Sequence, residues 1–181
     1  MEELGQEHFY NIGVSYKKAE AEIRGKFSVS TENQIALLKA AKTRGVASIF
    51  IISTCNRTEI FGFAKRPCLL IELLCDFSEG NVKEFNTICS IQKDKEAVHH
   101  LFRIGTGLDS QILGDYEIVG QLKYAYKLAK KIKTTNAYTE RLVNCVLQAS
   151  KRVKNETKLS SGTTSVSYAA VQYIIKNLPD Y

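Results

Sequence analysis

The rest of the chain is arranged around residues 49–61, which read Ile49-Phe50-Ile51-Ile52-Ser53-Thr54-Cys55-Asn56-Arg57-Thr58-Glu59-Ile60-Phe61. An apolar run ends at Ser53 and a second β-like run follows almost at once, which predicts two strands joined by a short connection. Cys55 lies in that connection, whereas a cysteine that only fills the core would lie within the apolar run. The adjacent Arg57 guanidinium would favour the thiolate, the reactive form of the side chain. From these residues alone, a reactive thiol and an inert turn cysteine remain equal alternatives.

The composition is that of an ordinary globular protein with room for one substantial domain. The 181 residues are 44% hydrophobic and 24% charged, and the formal net charge of +6 indicates an anionic partner. No apolar run approaches the roughly 20 residues of a membrane span, and the acidic start Met1-Glu2-Glu3 does not resemble a signal peptide. We therefore expect a cytoplasmic protein that does not enter a membrane. Its five cysteines form no C-x-x-C pair, so we expect reduced thiols and no metal site.

The first half of the chain alternates between strand and helix patterns. Helices are expected from Ser30 to Gly45 and from Pro67 to Gly80. Strands are expected at residues 8–16, 46–52, 59–64 and 85–91. The resulting β-α-β-β-α-β order is that of the ferredoxin-like split βαβ fold. The predicted fold class is α+β, with a ferredoxin-like sheet part over residues 1–92 followed by a helical subdomain.

The second half of the chain has helical periodicity. We expect a helix that begins at Asp94 and ends near Gly105, a long helix after Asp115, and another from Tyr138 to Thr157. Residues 160–165 are a small-residue break, and residues 166–178 have a helical pattern. We therefore expect one domain over residues 1–160, whose helical part covers 93–160, and a linker with a helix over 161–181.

Two features of the helical half could take part in binding or chemistry. Gly105-Thr106-Gly107 resembles the start of a dinucleotide fingerprint, but it lacks the third glycine and follows a helix, so no cofactor-binding residue is expected in this chain. His100 is either a packed helix residue or, if the fold brings it near Cys55, an acid/base group.

The long helices are also rich in basic residues. These are either solvated helix faces or an electrostatic footprint for a phosphate backbone, and we favour the footprint because few acids offset them. They are Lys123, Lys127, Lys130, Lys131, Lys133, Arg141, Lys151, Arg152, Lys154 and Lys158.

Several motifs, taken together in order, resemble one known family. They are Ser53-Thr54-Cys55-Asn56-Arg57-Thr58-Glu59, His100-Leu101-Phe102-Arg103, Gly107-Leu108-Asp109-Ser110 and Gly120-Gln121-Leu122-Lys123. In this order they closely resemble glutamyl-tRNA reductase. The segment from Ser160 to Ala170 is also similar to that family, where it leads into the nucleotide-binding domain.

The resemblance implies a reaction in two steps. Cys55 would attack the ester of glutamyl-tRNA to form an enzyme thioester, which NADPH would reduce to glutamate-1-semialdehyde for tetrapyrrole biosynthesis. It also implies that the chain corresponds to the catalytic domain, with the NADPH-binding and dimerisation domains beyond Tyr181, so that this chain alone would not complete the reduction. The implied partners are glutamyl-tRNA, a second copy in a homodimer, and glutamate-1-semialdehyde aminomutase by channelling.

The resemblance also assigns individual site residues. Cys55 would be the nucleophile and His100 a second catalytic residue, and the guanidinium of Arg57 is suited to hold a carboxylate bidentately. The family usually has Gly-Glu-Pro-Gln-Ile where this chain has Gly114-Asp115-Tyr116-Glu117-Ile118, so backbone contacts are expected there in place of contacts from the glutamine. The full set expected to bind substrate is Thr54, Asn56, Arg57, Ser110, Asp115, Tyr116, Glu117 and Gln121.

Two other functions remain open from the sequence. The first is a non-catalytic tRNA-binding module, in which Cys55 is a packed turn residue. The second is a cysteine-dependent acyltransferase or esterase that acts on a different acyl carrier.

Overall fold

The computed structural model of the chain describes residues 6–46, 48–159 and 166–177. The described part contains four strands and eight helices. In chain order they are β1 (His8–Ser15), α1 (Ala21–Lys26), α2 (Thr31–Thr43), β2 (Ile49–Ser53), β3 (Arg57–Ala64), α3 (Pro67–Asp76), α4 (Val82–Ile88), β4 (Ser90–Lys93), α5 (Lys95–Gly105), α6 (Glu117–Ile132), α7 (Ala137–Glu156) and α8 (Val166–Asn177).

The four strands form one antiparallel sheet in the order β2-β3-β1-β4. Because β1 and β2 both pair antiparallel to β3, they run parallel to each other with β3 inserted between them, and α2 lies in the connection that joins them. This is the split βαβ arrangement, so the predicted ferredoxin-like order is confirmed. The predicted helical second half is confirmed as well, since α5, α6 and α7 occupy it. The predicted break at residues 160–165 lies outside the described residues.

The predicted strand over residues 85–91 is wrong. Most of that segment is α4, whose first turn is capped because the Asn81 side chain accepts a hydrogen bond from the backbone N–H of Glu84 at 2.9 Å. Phe85 and Ile88 are one helical turn apart, and Phe85 is buried against Phe27 with ring centroids 5.0 Å apart. Only Ser90–Lys93 remains as the edge strand.

Helices cover both faces of the sheet. The register places alternate residues of neighbouring strands on one face, and α5, α6 and α7 pack on that face through Phe61 on His100, Phe50 on Tyr126 and Phe9 on Tyr138. The opposite face carries Ile12, Ile51 and Ile60, which are also fully buried, and α2 and α3 pack against the same strands. A polar side chain on either face of β3 is therefore buried and needs a partner. Within the described residues, no helix combines the length and apolar character that a membrane span requires.

Candidate active site

Cys55 is exposed on a tight turn between β2 and β3. The Thr54 hydroxyl oxygen accepts hydrogen bonds from the backbone N–H groups of Asn56 and Arg57, each at 3.2 Å, and the Thr54 N–H donates to the Arg57 carbonyl at 2.8 Å. This is the local hydroxyl-to-backbone pattern that stabilises turns. The predicted short connection is therefore present, and it presents the thiol to solvent.

Arg24 supports this turn from α1. Its guanidinium donates to the Ala19 carbonyl at 2.6 Å and to the Cys55 carbonyl at 3.3 Å. Arg24 matches a position of the resembled family, but no local pattern links it to the turn, because α1 precedes the turn by about 30 residues. We count Arg24 among the residues that hold the thiol in place.

The loop between α5 and α6 forms the wall opposite the thiol. Gly107 and Gly114 both have positive φ angles, 75° and 82°, and the Gly114 N–H donates to the Gly107 carbonyl at 3.1 Å, which closes the loop. A Cβ atom on Gly114 would lie 2.4 Å from the carbonyl oxygen of Leu159. The hydroxyl of Tyr16, at the end of β1, donates to the Ser110 carbonyl at 3.2 Å and fixes the loop against the sheet.

A cavity of about 40 Å³ lies between the thiol turn and this loop. Its lining residues include every predicted site residue except His100 and Tyr116, and two residues that were not predicted, Gln111 and Ile118. They are Thr54, Cys55, Asn56, Arg57, Ser110, Gln111, Asp115, Glu117, Ile118 and Gln121. The volume admits about two or three water molecules. A larger ligand that reacts with the thiol would therefore extend out of the cavity or widen it.

Tyr116 does not line the cavity. It precedes α6, and its ring lies beneath the Lys154 ammonium, which is 5.0 Å from the ring centroid. The backbone contact with substrate expected at Tyr116 stays a prediction. The ring instead connects the start of α6 to α7.

His100 does not line the cavity either. Its Nε2 is 2.7 Å from Oε2 of Glu59, and its ring stacks on Phe61 with centroids 6.2 Å apart. His100 on α5 thus contacts β3 at Glu59, which lies two residues after Arg57 in that strand. The hydrogen bond of His100 connects it to Glu59, which contacts Arg57 in the cavity wall.

Glu59, Arg57 and Asp109 form a buried charge network behind the cavity. Arg57 Nη1 is 2.9 Å from Glu59 Oε1 and 3.2 Å from Asp109 Oδ2, and Nη2 donates to the Asp109 carbonyl. Asn11 donates to Glu59 at 2.9 Å, and Lys17 pairs with Asp109. The Arg57 side chain is only 2% exposed, and its guanidinium already forms ion pairs with the carboxylates of Glu59 and Asp109. The contact of Arg57 with a substrate carboxylate stays a prediction, and it would require one of these partners to be displaced.

Both carboxylates of the network are held in the ionised form. Burial alone raises the pKa of Glu59, but the hydrogen bond with His100 and the charges of His100 and Arg57 outweigh it and lower the pKa below its ordinary value. Burial likewise raises the pKa of Asp109, and the hydrogen bond from Lys17 with the charge of Arg57 lowers it overall. The charge of Arg57 is therefore balanced by the two carboxylates.

Comparison with known proteins identifies the family. Residues 12–157 match the family model described as glutamyl-tRNAGlu reductase, N-terminal domain. The chain is 57% identical over 171 residues to a glutamyl-tRNA reductase of Christiangramia forsetii, covering 94% of this chain and 41% of that protein. It is 38% identical over 177 residues to one of Thermodesulfovibrio yellowstonii, covering 91% of this chain and 41% of that protein.

A solved structure agrees with the sequence matches. The glutamyl-tRNA reductase of Methanopyrus kandleri superposes with a TM-score of 0.73 at 27% identity, over 93% of this chain and 39% of that chain. The chain thus spans about two fifths of the length of these relatives. The thiol turn, the facing loop and the cavity between them all lie within the matched residues. The chain belongs to the family of glutamyl-tRNAGlu reductase N-terminal domains.

Proposed function

We propose that this chain is a catalytic domain, over residues 1–160, that accepts the glutamyl group of glutamyl-tRNA on Cys55 as a thioester. The observation that carries the proposal is an exposed thiol in the wall of a cavity that is also lined by Thr54, Asn56, Ser110 and Gln121, polar residues of the family motifs. A thiol that only filled a turn would not need such surroundings. Because charged tRNA is the substrate, we also propose a cytoplasmic location.

The acyl transfer can be written with the residues of the cavity. The Cys55 thiol loses its proton to solvent, and the thiolate attacks the ester carbonyl carbon, so that a carbon–sulfur bond forms. The bond to the ribose oxygen breaks, and the tRNA leaves as that oxygen takes a proton from solvent, equal to the one that the thiol released. Asn56, Ser110 and Gln121 line the cavity, and their side chains make no hydrogen bond to the described residues. Their amide and hydroxyl groups are therefore free to bind the glutamyl group and the oxyanion.

The buried network is proposed to hold the two walls of the cavity together. Arg57 begins β3 directly after the thiol turn, and Asp109 precedes Ser110 in the facing loop. The ion pair between them joins the thiol to the opposite wall. His100 acts as a positioning residue because it anchors Glu59, the second partner of Arg57.

The segment Gly105-Thr106-Gly107 does not fit a phosphate cradle for NADPH. Gly105 and Gly107 lie at the C-terminal end of α5, whereas a phosphate cradle needs a strand, a tight turn and a helix N-terminus in that order. We therefore derive no hydride step from this chain. NADPH-dependent reduction to glutamate-1-semialdehyde, homodimer formation and channelling to the aminomutase remain proposals for a whole reductase.

The proposed reaction is tested by incubating the chain with glutamyl-tRNA. We expect release of free tRNA and a glutamyl adduct on the Cys55 peptide in mass spectrometry. A non-catalytic tRNA-binding module would bind tRNA regardless of the glutamyl group and of thiol alkylation, and it would form no adduct. An acyltransferase of another kind would form its adduct equally well from other aminoacyl-tRNAs.

A further inference from the structure

A second and larger cavity lies next to the thiol cavity, between α2, β2 and α6. It has a volume of about 420 Å³, within the range typical of small-ligand sites. Gln121 lines both cavities, and Ser53 in the larger one directly precedes Thr54 in the smaller one. A molecule whose reactive group lies at Cys55 therefore has this space beside it.

The walls of the larger cavity carry no charged side chain. The apolar part consists of Val29, Ile51, Ile52 and Ala125, and the polar part offers only hydroxyl and amide groups, from Ser30, Thr31, Gln34, Ser53 and Gln121. A glutamyl carboxylate would find no cation here. Ser30, Gln34 and Ser53 already hydrogen-bond within the protein. The side chains of Thr31, Gln121 and Tyr124 make no hydrogen bond to the described residues, and their hydroxyl and amide groups can donate to or accept from a neutral, hydroxyl-bearing ligand.

One wall of the larger cavity is an exposed aromatic ring. Tyr124 on α6 lines the cavity and is 54% exposed, although large aromatic side chains are usually mostly buried. An exposed aromatic face is a platform on which a nucleobase can stack. Gly120, one turn earlier, lines the same cavity and leaves the space above the helix open.

The exposed face of α6 continues from Tyr124 as a row of lysines. Lys123, Lys127 and Lys131 are exposed, and within the described residues none of the three forms an ion pair. Lys127 and Lys131 follow Tyr124 on one side of the helix, at steps of about 4.5 Å and about 6 Å along the axis. An aromatic platform followed by unpaired lysines matches a nucleotide chain, with a base on the ring and phosphates on the ammonium groups.

We propose that this cavity binds the terminal nucleoside of the tRNA whose acyl ester lies at Cys55, with its base on Tyr124 and the preceding phosphates along Lys127 and Lys131. The inference rests on the proposed acyl transfer, since that reaction places the 3′ end of the tRNA beside the thiol. It adds a subsite that recognises the nucleoside separately from the glutamyl group.

The test compares a substrate that has the nucleoside with one that lacks it. Tyr124→Ala should raise the KM for deacylation of glutamyl-tRNA about tenfold, the size of a lost stacking contact, while Tyr124→Phe keeps the ring and should match the parent. With the α-methyl ester of glutamate, which has no nucleoside, all three proteins should react at the same rate. An unchanged KM for Tyr124→Ala, or an equal loss on both substrates, would overturn the proposal.

Two further measurements do not depend on catalysis. Glutamyl-tRNA with a photoreactive azidoadenosine at its 3′ end should crosslink to residues of the cavity, and a crosslink confined to other residues would overturn the subsite.

Lys127→Glu with Lys131→Glu should weaken tRNA binding and reduce its salt dependence, whereas Lys83→Glu on α4 should not. Failure of the parent to form a thioester while the crosslink persists would refute the proposed reaction and leave the subsite standing. The crosslinking is repeated with unlabelled tRNA or with NADPH as a competitor. If NADPH blocks the crosslink and unlabelled tRNA does not, the occupant of the cavity is a dinucleotide and the proposal is wrong.

Discussion

His100 Nε2 lies 2.7 Å from Glu59 Oε2, and the histidine does not line the cavity that contains the Cys55 thiol. This contact joins α5 to β3. Glu59 also forms an ion pair with Arg57, with 2.9 Å between Oε1 and Nη1. Arg57 in turn holds Asp109 in the facing loop. His100, to which the family resemblance assigns a catalytic role, is thus linked to the thiol turn through two buried side chains, Glu59 and Arg57.

The first prediction concerns Glu59→Gln. The substitution removes one charge from a fully buried network and leaves Arg57 underpaired, so we expect a loss of about 3 kcal/mol in the free energy of unfolding. Urea denaturation measures this. The matched control is Glu72→Gln on the exposed side of α3, which should change the free energy by less than about 0.5 kcal/mol. Equal losses in both variants would contradict the account of the network.

The second prediction concerns acid stability. The pKa values of Glu59 and Asp109 are lower in the folded protein than in the unfolded chain, so their contribution is complete above the ordinary carboxyl range and is lost as the pH falls through the lowered values. We expect the free energy of unfolding to decrease below about pH 4. Glu59→Gln should show a shallower decrease over the same range. Identical slopes for parent and variant would show that Glu59 does not carry this effect.

The third prediction separates a positioning role of His100 from an acid/base role. His100→Gln retains a side chain that can donate to Glu59, so its rate of glutamyl-tRNA deacylation should stay within about tenfold of the parent, whereas loss of a general acid or base costs about 10²–10⁴-fold. His100→Ala, which cannot make the contact, should lose more activity and also stability. If Gln and Ala reduce the rate equally at unchanged stability, the histidine acts directly on the reaction.

The fourth prediction concerns the close approach of Gly13 to Glu59. A Cβ atom at Gly13 would lie 2.5 Å from Glu59 Cγ and 2.7 Å from the Thr58 carbonyl, so Gly13→Ala must displace β3. We expect a loss of about 1–3 kcal/mol in the free energy of unfolding, as for other overpacked sites. Gly25→Ala is the control, because a Cβ there meets nothing within 4 Å and helix propensity favours alanine. A tolerated Gly13→Ala would show that the strands can separate without cost.

The thiol turn and its two strands could be predicted from the sequence because their signals are local. The apolar run at residues 49–52 ends at Ser53, and turn-forming side chains follow immediately, so the strand end and the exposed cysteine follow from one short segment. Placing Ser110 and Gln121 in the same site depended on the family resemblance. No pattern within the chain places the loop after α5 opposite the turn.

The charge network could not be predicted for a different reason. Arg57 and Glu59 alternate along β3, which by itself indicates a solvated strand face. Only the packing of α5, α6 and α7 on that face buries them and brings Asp109 and His100 to them. Phe85 misled the strand prediction because a short helix and a short strand share the same apolar residues, and the Asn81 cap distinguishes the two.

The central claim is tested most directly by single-turnover deacylation of glutamyl-tRNA by Cys55→Ser, with Cys68→Ser as the matched control. Both cysteines are exposed, but Cys68 lies on α3 and does not line the thiol cavity. We predict that Cys68→Ser deacylates at the parental rate, while Cys55→Ser falls to the rate of spontaneous hydrolysis. Deacylation by Cys55→Ser at the rate of the parent would contradict the assignment of Cys55 as the nucleophile.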